Sequence, residues 1–254
     1  MEALAFKEPE NLESLTTVQY WDNRYKEEEH TEWLLDSKEL GNRMEEVASR
    51  WGKEVKILHL GCGTSLLPQQ LYQLGFTRVF NIDNSPVCIS KMSLRFPHLS
   101  FELMDLNDLQ YDEHTFDMVV EKSTLDTLIS DRSEEQAEGK LKVEKCLQEI
   151  SKVLRPGGIL LSVSLLSPNE HSAILSPLGG RVKVERIRGG KDQVDCTVAT
   201  VFFDDLKGDH VRGSVKQESC DDQNLPEYDF SDDEERFEGG VSDEYKDLVK
   251  SMIS

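Results

Sequence analysis

The sequence predicts an α/β fold: a doubly wound, Rossmann-like sheet of seven strands whose last strand runs antiparallel. Apolar strand-like segments alternate with helix-like segments from about residue 55 to 176, which is typical of a parallel sheet covered by helices on both faces. A turn with two glycines, Gly61-Cys-Gly63, follows the first apolar segment. The last two strand-like segments, 181–187 and 194–203, adjoin as a hairpin, so one of them must be antiparallel.

The other elements follow in order along the chain. Residues 16–51 predict one or two helices before the first strand, and a helix over 65–74 follows the glycine turn. The second strand is Val79–Asp83, after which Ser85 caps the next helix and Pro86 opens it. Further along, the pattern predicts strands over 99–103, 116–121 and 159–166, and helices over 140–154 and 169–176. Arg155-Pro-Gly-Gly158 stops the first of these two helices.

The glycine turn and the end of the second strand indicate a site for a nucleoside-containing ligand. Gly61 and Gly63 allow a sharp turn and leave room for a ligand against the strand end. The carboxylate of Asp83 is placed to accept hydrogen bonds from two ribose hydroxyls. A turn of this kind alone is a weak signal, because many are ordinary tight turns, but the acid at this spacing and the strands downstream favour a cofactor site.

The residues after the glycine pair argue against a dinucleotide. Pyrophosphate binders usually carry a third glycine and small residues that pack the helix on the strand, whereas here Thr64-Ser-Leu-Leu67 follows. S-adenosylmethionine has no phosphate and suits this turn better. An NAD-dependent oxidoreductase stays the less favoured alternative.

The net charge is distributed unevenly along the chain, and we divide the chain into three parts. From Asp204 to Ser254, 16 acidic and 6 basic residues give half of the chain's net charge of −20. Aliphatic residues are scarce there, so we expect an acidic, disordered tail over 204–254. Residues 16–203 form the predicted folded domain, and 1–15 a flexible N-terminus. This excess of acid argues against a nucleic-acid partner, which concentrated Lys and Arg would bind.

The five cysteines predict neither a disulfide framework nor a metal site. They are scattered, odd in number and without C-x-x-C spacing. No apolar run reaches membrane-spanning length, and the acidic start is unlike a signal or transit peptide. We therefore expect a monomer in the cytoplasm, or also in the nucleus, that does not associate with membranes.

Several strings together resemble the class I, seven-strand methyltransferases that use S-adenosylmethionine. The strings are His59-Leu-Gly-Cys-Gly-Thr-Ser65, Asn81-Ile-Asp83, Met104-Asp105, Phe116 to Asp126 and Val153-Leu-Arg-Pro-Gly-Gly158. Within this class, Tyr20-Trp-Asp-Asn-Arg-Tyr25 and Glu121-Lys-Ser-Thr-Leu-Asp126 resemble the methyltransferase-like proteins that modify lysine on translation elongation factor 1-alpha. In those relatives a glycine stands in place of Ser123, and an aromatic in place of Leu34.

The resemblance implies which residues hold S-adenosylmethionine. Gly61 and Gly63 lie along the methionine part, Asp83 holds the ribose, Asp105 faces the adenine, and Glu121 lies beside the transferred methyl group. The full implied set of cofactor-binding residues is Tyr20, Trp21, Arg24, Trp33, Gly61, Cys62, Gly63, Asp83, Asn84, Asp105, Leu106 and Glu121. Packing on the sheet explains the presence of each aromatic residue equally well. Cys62 is explained by the need for a small residue between the two glycines.

Glu121 and Asp126 are the candidate catalytic residues, and a protein lysine is the expected acceptor. The alternatives are that Glu121 is a solvated carboxylate at a strand end and Asp126 a helix cap. A lysine must lose its proton before it attacks, and its pKa is about 10.4 in water, yet no residue stands out as a general base. Three other functions stay open: methylation of a small molecule, of RNA or of a protein N-terminus. A cofactor-binding scaffold without catalysis is a fourth.

Overall fold

The computed structural model describes residues 12–129, 136–188 and 194–203. The predicted acidic tail, 204–254, lies outside the described residues, as do the first 11 residues of the predicted flexible N-terminus. Among the described residues, no helix has both the length and the apolar character that crossing a bilayer requires.

Seven strands form one sheet in the order β3-β2-β1-β4-β5-β7-β6. Strands β1 to β5 are parallel, and β7 runs antiparallel between β5 and β6. This confirms the predicted fold class. The strands are β1 Ile57–Leu60, β2 Val79–Asp83, β3 Ser100–Leu103, β4 Phe116–Lys122, β5 Leu154–Ser164, β6 Arg181–Ile187 and β7 Cys196–Phe202.

Helices cover both faces of the sheet. Successive residues of β4 point to opposite faces: Val119 packs into one core cluster with α5 and α6, while Met118 and Val120 pack into another with α2 and α3. The central strands are buried on both faces, so they carry near-continuous apolar runs. The α-helices are α1 Val18–Glu27, α2 Ser37–Ala48, α3 Leu67–Gln73, α4 Pro86–Arg95, α5 Thr124–Ile129, α6 Gln136–Val153 and α7 Pro168–Leu175.

Side-chain caps fix several helix starts. Ser85 accepts a hydrogen bond from the Cys88 amide and Pro86 is the first residue of α4, which confirms both predictions. At α7, Ser167 and Glu170 form a reciprocal capping box. These caps satisfy amide groups that have no partner within the helix.

The structure differs most from the predicted boundaries around the start of β5 and at the N-terminus. Helix α6 is Gln136–Val153 and not 140–154, and β5 starts at Leu154 and not at residue 159, because Leu154 pairs with Phe116 ahead of a register shift in β4. The string Arg155-Pro-Gly-Gly158, predicted to stop the helix, therefore lies at the start of β5. At the N-terminus, Leu12–Thr16 form a 3-10 helix. Leu15 is buried, and its carbonyl oxygen accepts a hydrogen bond from the Trp21 indole at 2.6 Å. The folded part therefore begins before residue 16.

The chain order creates a crevice at the carboxyl ends of the central strands. From β1 the chain proceeds to β2 and β3 on one side, and β4 then lies on the other side of β1. Such a switch in direction opens a crevice between the loops that follow the two strands, and ligands of open α/β sheets bind there.

Candidate functional site

A cavity lies at this switch point. It is walled by the loops after β1, β2 and β4, by the start of α5 and by aromatic residues of the N-terminal segment. The predicted site residues that line it are Trp21, Trp33, Gly61, Cys62, Gly63, Asp83, Asn84, Leu106 and Asp126. The structure does not bring Tyr20, Arg24, Asp105 or Glu121 to its wall.

The glycine turn needs its glycines for two reasons. Gly61 and Gly63 have φ values of +56° and +49°, in the left-handed region that favours glycine. A β-carbon on Gly61 would lie 2.4 Å from Oγ1 of Thr124, and one on Gly63 would lie 3.0 Å from the Tyr25 hydroxyl. The turn therefore passes between the start of α5 and the aromatic wall with no room for a side chain.

Asp83 joins the glycine turn to the start of α4. Its carboxylate accepts hydrogen bonds from the amides of Gly63 at 3.0 Å and Ser85 at 2.9 Å. The side chain is buried, and burial raises its pKa although both amides favour the charged form. An ionised carboxylate has about four acceptor positions, and Asp83 lines the cavity, so it keeps acceptor capacity for a ligand there.

Three aromatic rings form the wall opposite the strand ends. Trp21 stacks on Tyr25 with ring centroids 5.6 Å apart, and Trp33 meets Trp21 edge-on at 6.3 Å. Tyr25 also lines the cavity, and it ends the string from Tyr20 to Tyr25 that the sequence analysis singled out.

Tyr20, Arg24 and Asp105 lie outside the cavity wall for separate reasons. The Arg24 guanidinium donates to the Tyr20 hydroxyl at 3.1 Å and lies over Trp33, 4.6 Å from the ring centroid. Both residues thus support the aromatic wall. Asp105 is exposed and accepts from the Asn107 amide, while its neighbours Met104 and Leu106 line the cavity. For all three, contact with a cofactor stays a prediction.

A buried ion pair at the cavity edge was not anticipated. The ammonium of Lys122 contacts the Glu32 carboxylate and donates to the Leu35 carbonyl at 3.2 Å. The same carboxylate accepts from Ser65 Oγ at 2.9 Å and from the Leu66 amide at 2.6 Å. Glu32 therefore fixes the turn after the glycines to the end of β4. The one available signal was two adjacent charges, Glu121 and Lys122, at the end of an apolar strand.

His59 lines the cavity as a neutral group. It is 1% exposed, and burial, together with the charge of Lys122, lowers its pKa to about 3. Its Nδ1 lies 3.3 Å from Oδ1 of Asn81. At neutral pH this ring offers a polar surface but is a weak base.

Glu121 is fully buried below the start of α5. Its carboxylate accepts from the amides of Thr124 and Leu125 at 3.0 and 3.1 Å, and it contacts Ser162 Oγ. Thr124 in turn packs against Gly61 and donates to the Leu60 carbonyl at 3.1 Å. Glu121 therefore positions the cavity wall from behind. It is not the solvated carboxylate of the alternative interpretation, and direct contact with a cofactor stays a prediction.

A chain of hydrogen bonds runs from Glu121 through the sheet. Ser162 Oγ lies 2.7 Å from Nε2 of His171, whose Nδ1 lies 2.7 Å from the Thr197 hydroxyl. With Glu121 ionised, Thr197 donates to His171, His171 to Ser162, and Ser162 to the carboxylate. The same chain also allows the opposite direction when Glu121 is protonated, because the Thr197 hydroxyl has a second acceptor, the Leu166 carbonyl, at 3.0 Å. His171 is neutral in both states, because burial lowers its pKa to about 4.

We expect Glu121→Gln to remove a pH dependence of stability. Burial, and next the charge of Asp126, raise the pKa of Glu121 from 4.5 to about 7. The native state thus binds more protons than the unfolded state between these values, and Glu121 lowers stability as pH rises through them. Compared with Glu121→Gln, the free energy of unfolding of the wild type should fall by up to about 3 kcal/mol across this pH range. Denaturant unfolding of both proteins over the range checks this, and a constant difference would contradict it.

Asp126 lines the cavity and also ties α5 to the end of β5. Its carboxylate accepts from Ser123 Oγ at 2.9 Å and Ser164 Oγ at 2.5 Å, and from the Leu165 amide at 3.2 Å. The amides of Thr124 and Leu125 at the start of α5 donate to Glu121 and not to Asp126, so Glu121 has the capping position that the alternative gave to Asp126. A contact with the acceptor stays a prediction.

Comparison with known proteins agrees with this arrangement. Residues 58–162 match the family described as a methyltransferase domain. The EEF1A lysine methyltransferase 4 of Mus musculus is 35% identical over 170 residues, which cover 63% of this chain and 66% of that protein. The eEF1A lysine and N-terminal methyltransferase of Mus musculus is 31% identical over 196 residues, 73% of this chain and 27% of that protein. The chain thus spans just under two thirds of the first relative and about a quarter of the second.

A solved structure has the same fold. The N-methyltransferase NodS from Bradyrhizobium japonicum, in complex with S-adenosyl-l-homocysteine, superposes with a TM-score of 0.53 at 17% identity, over 72% of this chain and 98% of that one. Residues 58–162 therefore belong to the methyltransferase-domain family, and the chain has the Rossmann-like fold of methyltransferases, with the glycine turn and the order of strands that this fold requires.

Proposed function

We propose that the chain is an S-adenosylmethionine-dependent methyltransferase that modifies a lysine side chain of a protein, with translation elongation factor 1-alpha as the candidate substrate. The observation that carries the proposal is the cavity at the switch point, where Gly61, Gly63 and Asp83 meet. The two relatives, an EEF1A lysine methyltransferase and an eEF1A lysine and N-terminal methyltransferase, support the lysine and the elongation factor.

The cavity fits a cofactor that contains adenosine and an amino acid. Gly61 and Gly63 line the cavity at the end of β1, where their backbone forms a surface for an extended chain. Asp83 offers carboxylate lone pairs to a ribose, and Met104 and Leu106 offer an apolar surface to a base. S-adenosylmethionine supplies a methyl group on a sulfonium, whose positive charge makes it a good leaving group.

The residues of the chain therefore act mainly by positioning the two reactants and less by acid–base catalysis. An in-line displacement depends on holding donor and acceptor together and excluding water. The rings of Trp21, Tyr25 and Trp33 cover the cavity, and electron-rich ring faces attract a cation. Asp126 offers its carboxylate to the incoming nitrogen, whereas His59, with its pKa near 3, is a weak base for it.

We expect Asp83→Asn to weaken binding of S-adenosylhomocysteine by about 1–3 kcal/mol, the range for hydrogen bonds to a charged group. The amides of Gly63 and Ser85 donate to different oxygens of the carboxylate, so asparagine keeps one of the two hydrogen bonds, whereas alanine loses both. Calorimetry measures the affinity, and thermal unfolding of the same samples checks the fold. Unchanged affinity in a folded variant would remove Asp83 from the cofactor site.

The activity is tested with S-adenosylmethionine carrying a labelled methyl group. The purified chain is incubated with it and either recombinant translation elongation factor 1-alpha or whole-cell extract, and labelled peptides are identified by mass spectrometry. The proposal expects label on a lysine, lost in Asp83→Asn. Label on a protein N-terminus, on RNA or on a small molecule would replace the lysine assignment. Cofactor binding without transfer to any acceptor would support the alternative that the chain is a cofactor-binding scaffold without catalysis. Residence in the cytoplasm or nucleus, a monomeric state and the lack of a nucleic-acid partner stay predictions from the sequence.

A further inference from the structure

Two cysteines and an aspartate meet beside the cavity. The Sγ atoms of Cys62 and Cys88 and a carboxylate oxygen of Asp83 all lie within 4.8 Å of one another. We propose that these three residues form a binding site for a soft divalent cation, Zn²⁺ first of all, and that a cation held there excludes the cofactor. The exclusion of the cofactor by the cation rests on the proposed function, whereas the cation site itself does not.

The three ligands come from three different elements. Cys62 lies between the two glycines of the turn, Asp83 ends β2, and Cys88 lies in the first turn of α4. All three side chains are buried. In a tetrahedral zinc site with bonds of about 2.0–2.3 Å, neighbouring ligand atoms lie roughly 3.3–3.8 Å apart. The ligand atoms, which lie within 4.8 Å of one another, therefore have to approach one another by at most about 1.0–1.5 Å.

The cavity gives a cation access and leaves a fourth position for water. Cys62 and Asp83 both line the cavity, while Cys88 lies behind them with Tyr25 and Met92. A site with three protein ligands that opens onto solvent is a common arrangement for zinc. Sulfur ligands select zinc and similar soft ions over Mg²⁺ and Ca²⁺.

Charge conservation favours cation binding at this buried place. The two cysteine side chains are buried beside the Asp83 carboxylate. A cation such as Zn²⁺ displaces both thiol protons to solvent and forms two bonds to sulfur and one to a carboxylate oxygen. With Asp83 ionised, the net charge of the site is −1 before and after this exchange. Burial therefore opposes the exchange far less than it opposes forming a lone thiolate.

A cation bound at this site would displace two residues that line the cofactor cavity. The cation draws the Asp83 carboxylate toward the two sulfurs and away from a ribose. It also pulls Cys62, and with it the glycine turn, toward α4. Cation and cofactor thus require different positions of the same two residues, which predicts competition between them.

The cation site is tested with Cd²⁺, whose bonds to thiolates give an ultraviolet charge-transfer band. Titration of the full, reduced chain should give a band that saturates at a single equivalent. Cys88→Ala should abolish it. The matched controls are Cys146→Ala, a buried thiol of α6 in a different core cluster, and Cys220→Ala, in the acidic tail. The band should persist in both. An absent band, or one that persists in Cys88→Ala, overturns the site.

The competition is tested by calorimetry with S-adenosylhomocysteine, with and without Zn²⁺. At a Zn²⁺ concentration ten times its dissociation constant, the apparent affinity should fall about tenfold. A chelator should restore the affinity, and Cys88→Ala should bind the cofactor product with no response to Zn²⁺. If Zn²⁺ leaves the wild-type affinity unchanged while the Cd²⁺ band is present, the exclusion is wrong. If the wild type binds no S-adenosylhomocysteine in the absence of metal, the proposed function fails and the exclusion falls with it, while the Cd²⁺ titration still decides the site.

Discussion

Glu32→Ala is expected to lower the free energy of unfolding by about 3–5 kcal/mol, as measured for other buried ion pairs that lose one partner. The side chains of Glu32 and Lys122 are only 6% and 3% exposed. The variant leaves the Lys122 ammonium buried without its carboxylate, and it removes the acceptor of Ser65 Oγ and of the Leu66 amide. Denaturant unfolding measures the loss.

Two matched variants separate the contributions to this loss. Glu32→Gln keeps an acceptor oxygen for Ser65 and Leu66 but removes the charge. Its free energy of unfolding should therefore lie between those of the wild type and Glu32→Ala. Glu45→Ala breaks the exposed pair with Lys53, in which both side chains are more than 40% exposed, and should cost at most about 1 kcal/mol. Equal losses for Glu32→Ala and Glu45→Ala would show that the buried pair is not a tie between the glycine turn and β4.

Gly61→Ala is expected to reduce affinity for S-adenosylhomocysteine at least about a hundredfold, roughly 3 kcal/mol. The new β-carbon would lie 2.4 Å from Oγ1 and 2.6 Å from Cγ2 of Thr124. Because Thr124 is fixed by the Leu60 carbonyl and by Glu121, the glycine turn must shift, and it shifts within the cavity. Calorimetry gives the affinity.

Gly179→Ala is the control for backbone strain alone. Gly179 also has a positive φ, +70°, but a β-carbon there would meet no atom within 4 Å. It should lose stability by about 1–2 kcal/mol and keep its cofactor affinity. Adding Thr124→Ala to Gly61→Ala removes the two closest atoms and should recover part of the affinity. No recovery, or an equal effect of Gly179→Ala on binding, would mean that the contact with Thr124 is not the cause.

Features that depend on local chemistry could be predicted from the sequence. The strand pattern, the glycine turn, Asp83 and the cap at Ser85 each follow from residues within one or two elements, and the structure has all of them. Two of the positions that depart from the relatives are also informative. Ser123 and Leu34 both adopt positive φ, +62° and +60°. The glycine of the relatives at Ser123 fits this backbone better than serine does.

Features that depend on contacts between distant segments could not be predicted. Glu32 and Lys122 are 90 residues apart, and no periodicity brings them together. Cys62 and Cys88 lack any spacing motif, and only the packing of α4 on the glycine turn makes them neighbours. For Glu121, the sequence places the residue at the end of β4, but its side chain turns inward because the amides of α5 and Ser162 offer partners there.

Calorimetric titration of the purified chain with S-adenosylhomocysteine, and in parallel with NAD, tests the central claim that the cavity is a site for S-adenosylmethionine and its product. We expect saturable binding of S-adenosylhomocysteine with a single site per chain, weakened in Asp83→Asn, and no heat from NAD. Saturable NAD binding with no response to S-adenosylhomocysteine would contradict the claim, because it would mean that the glycine turn accepts a pyrophosphate.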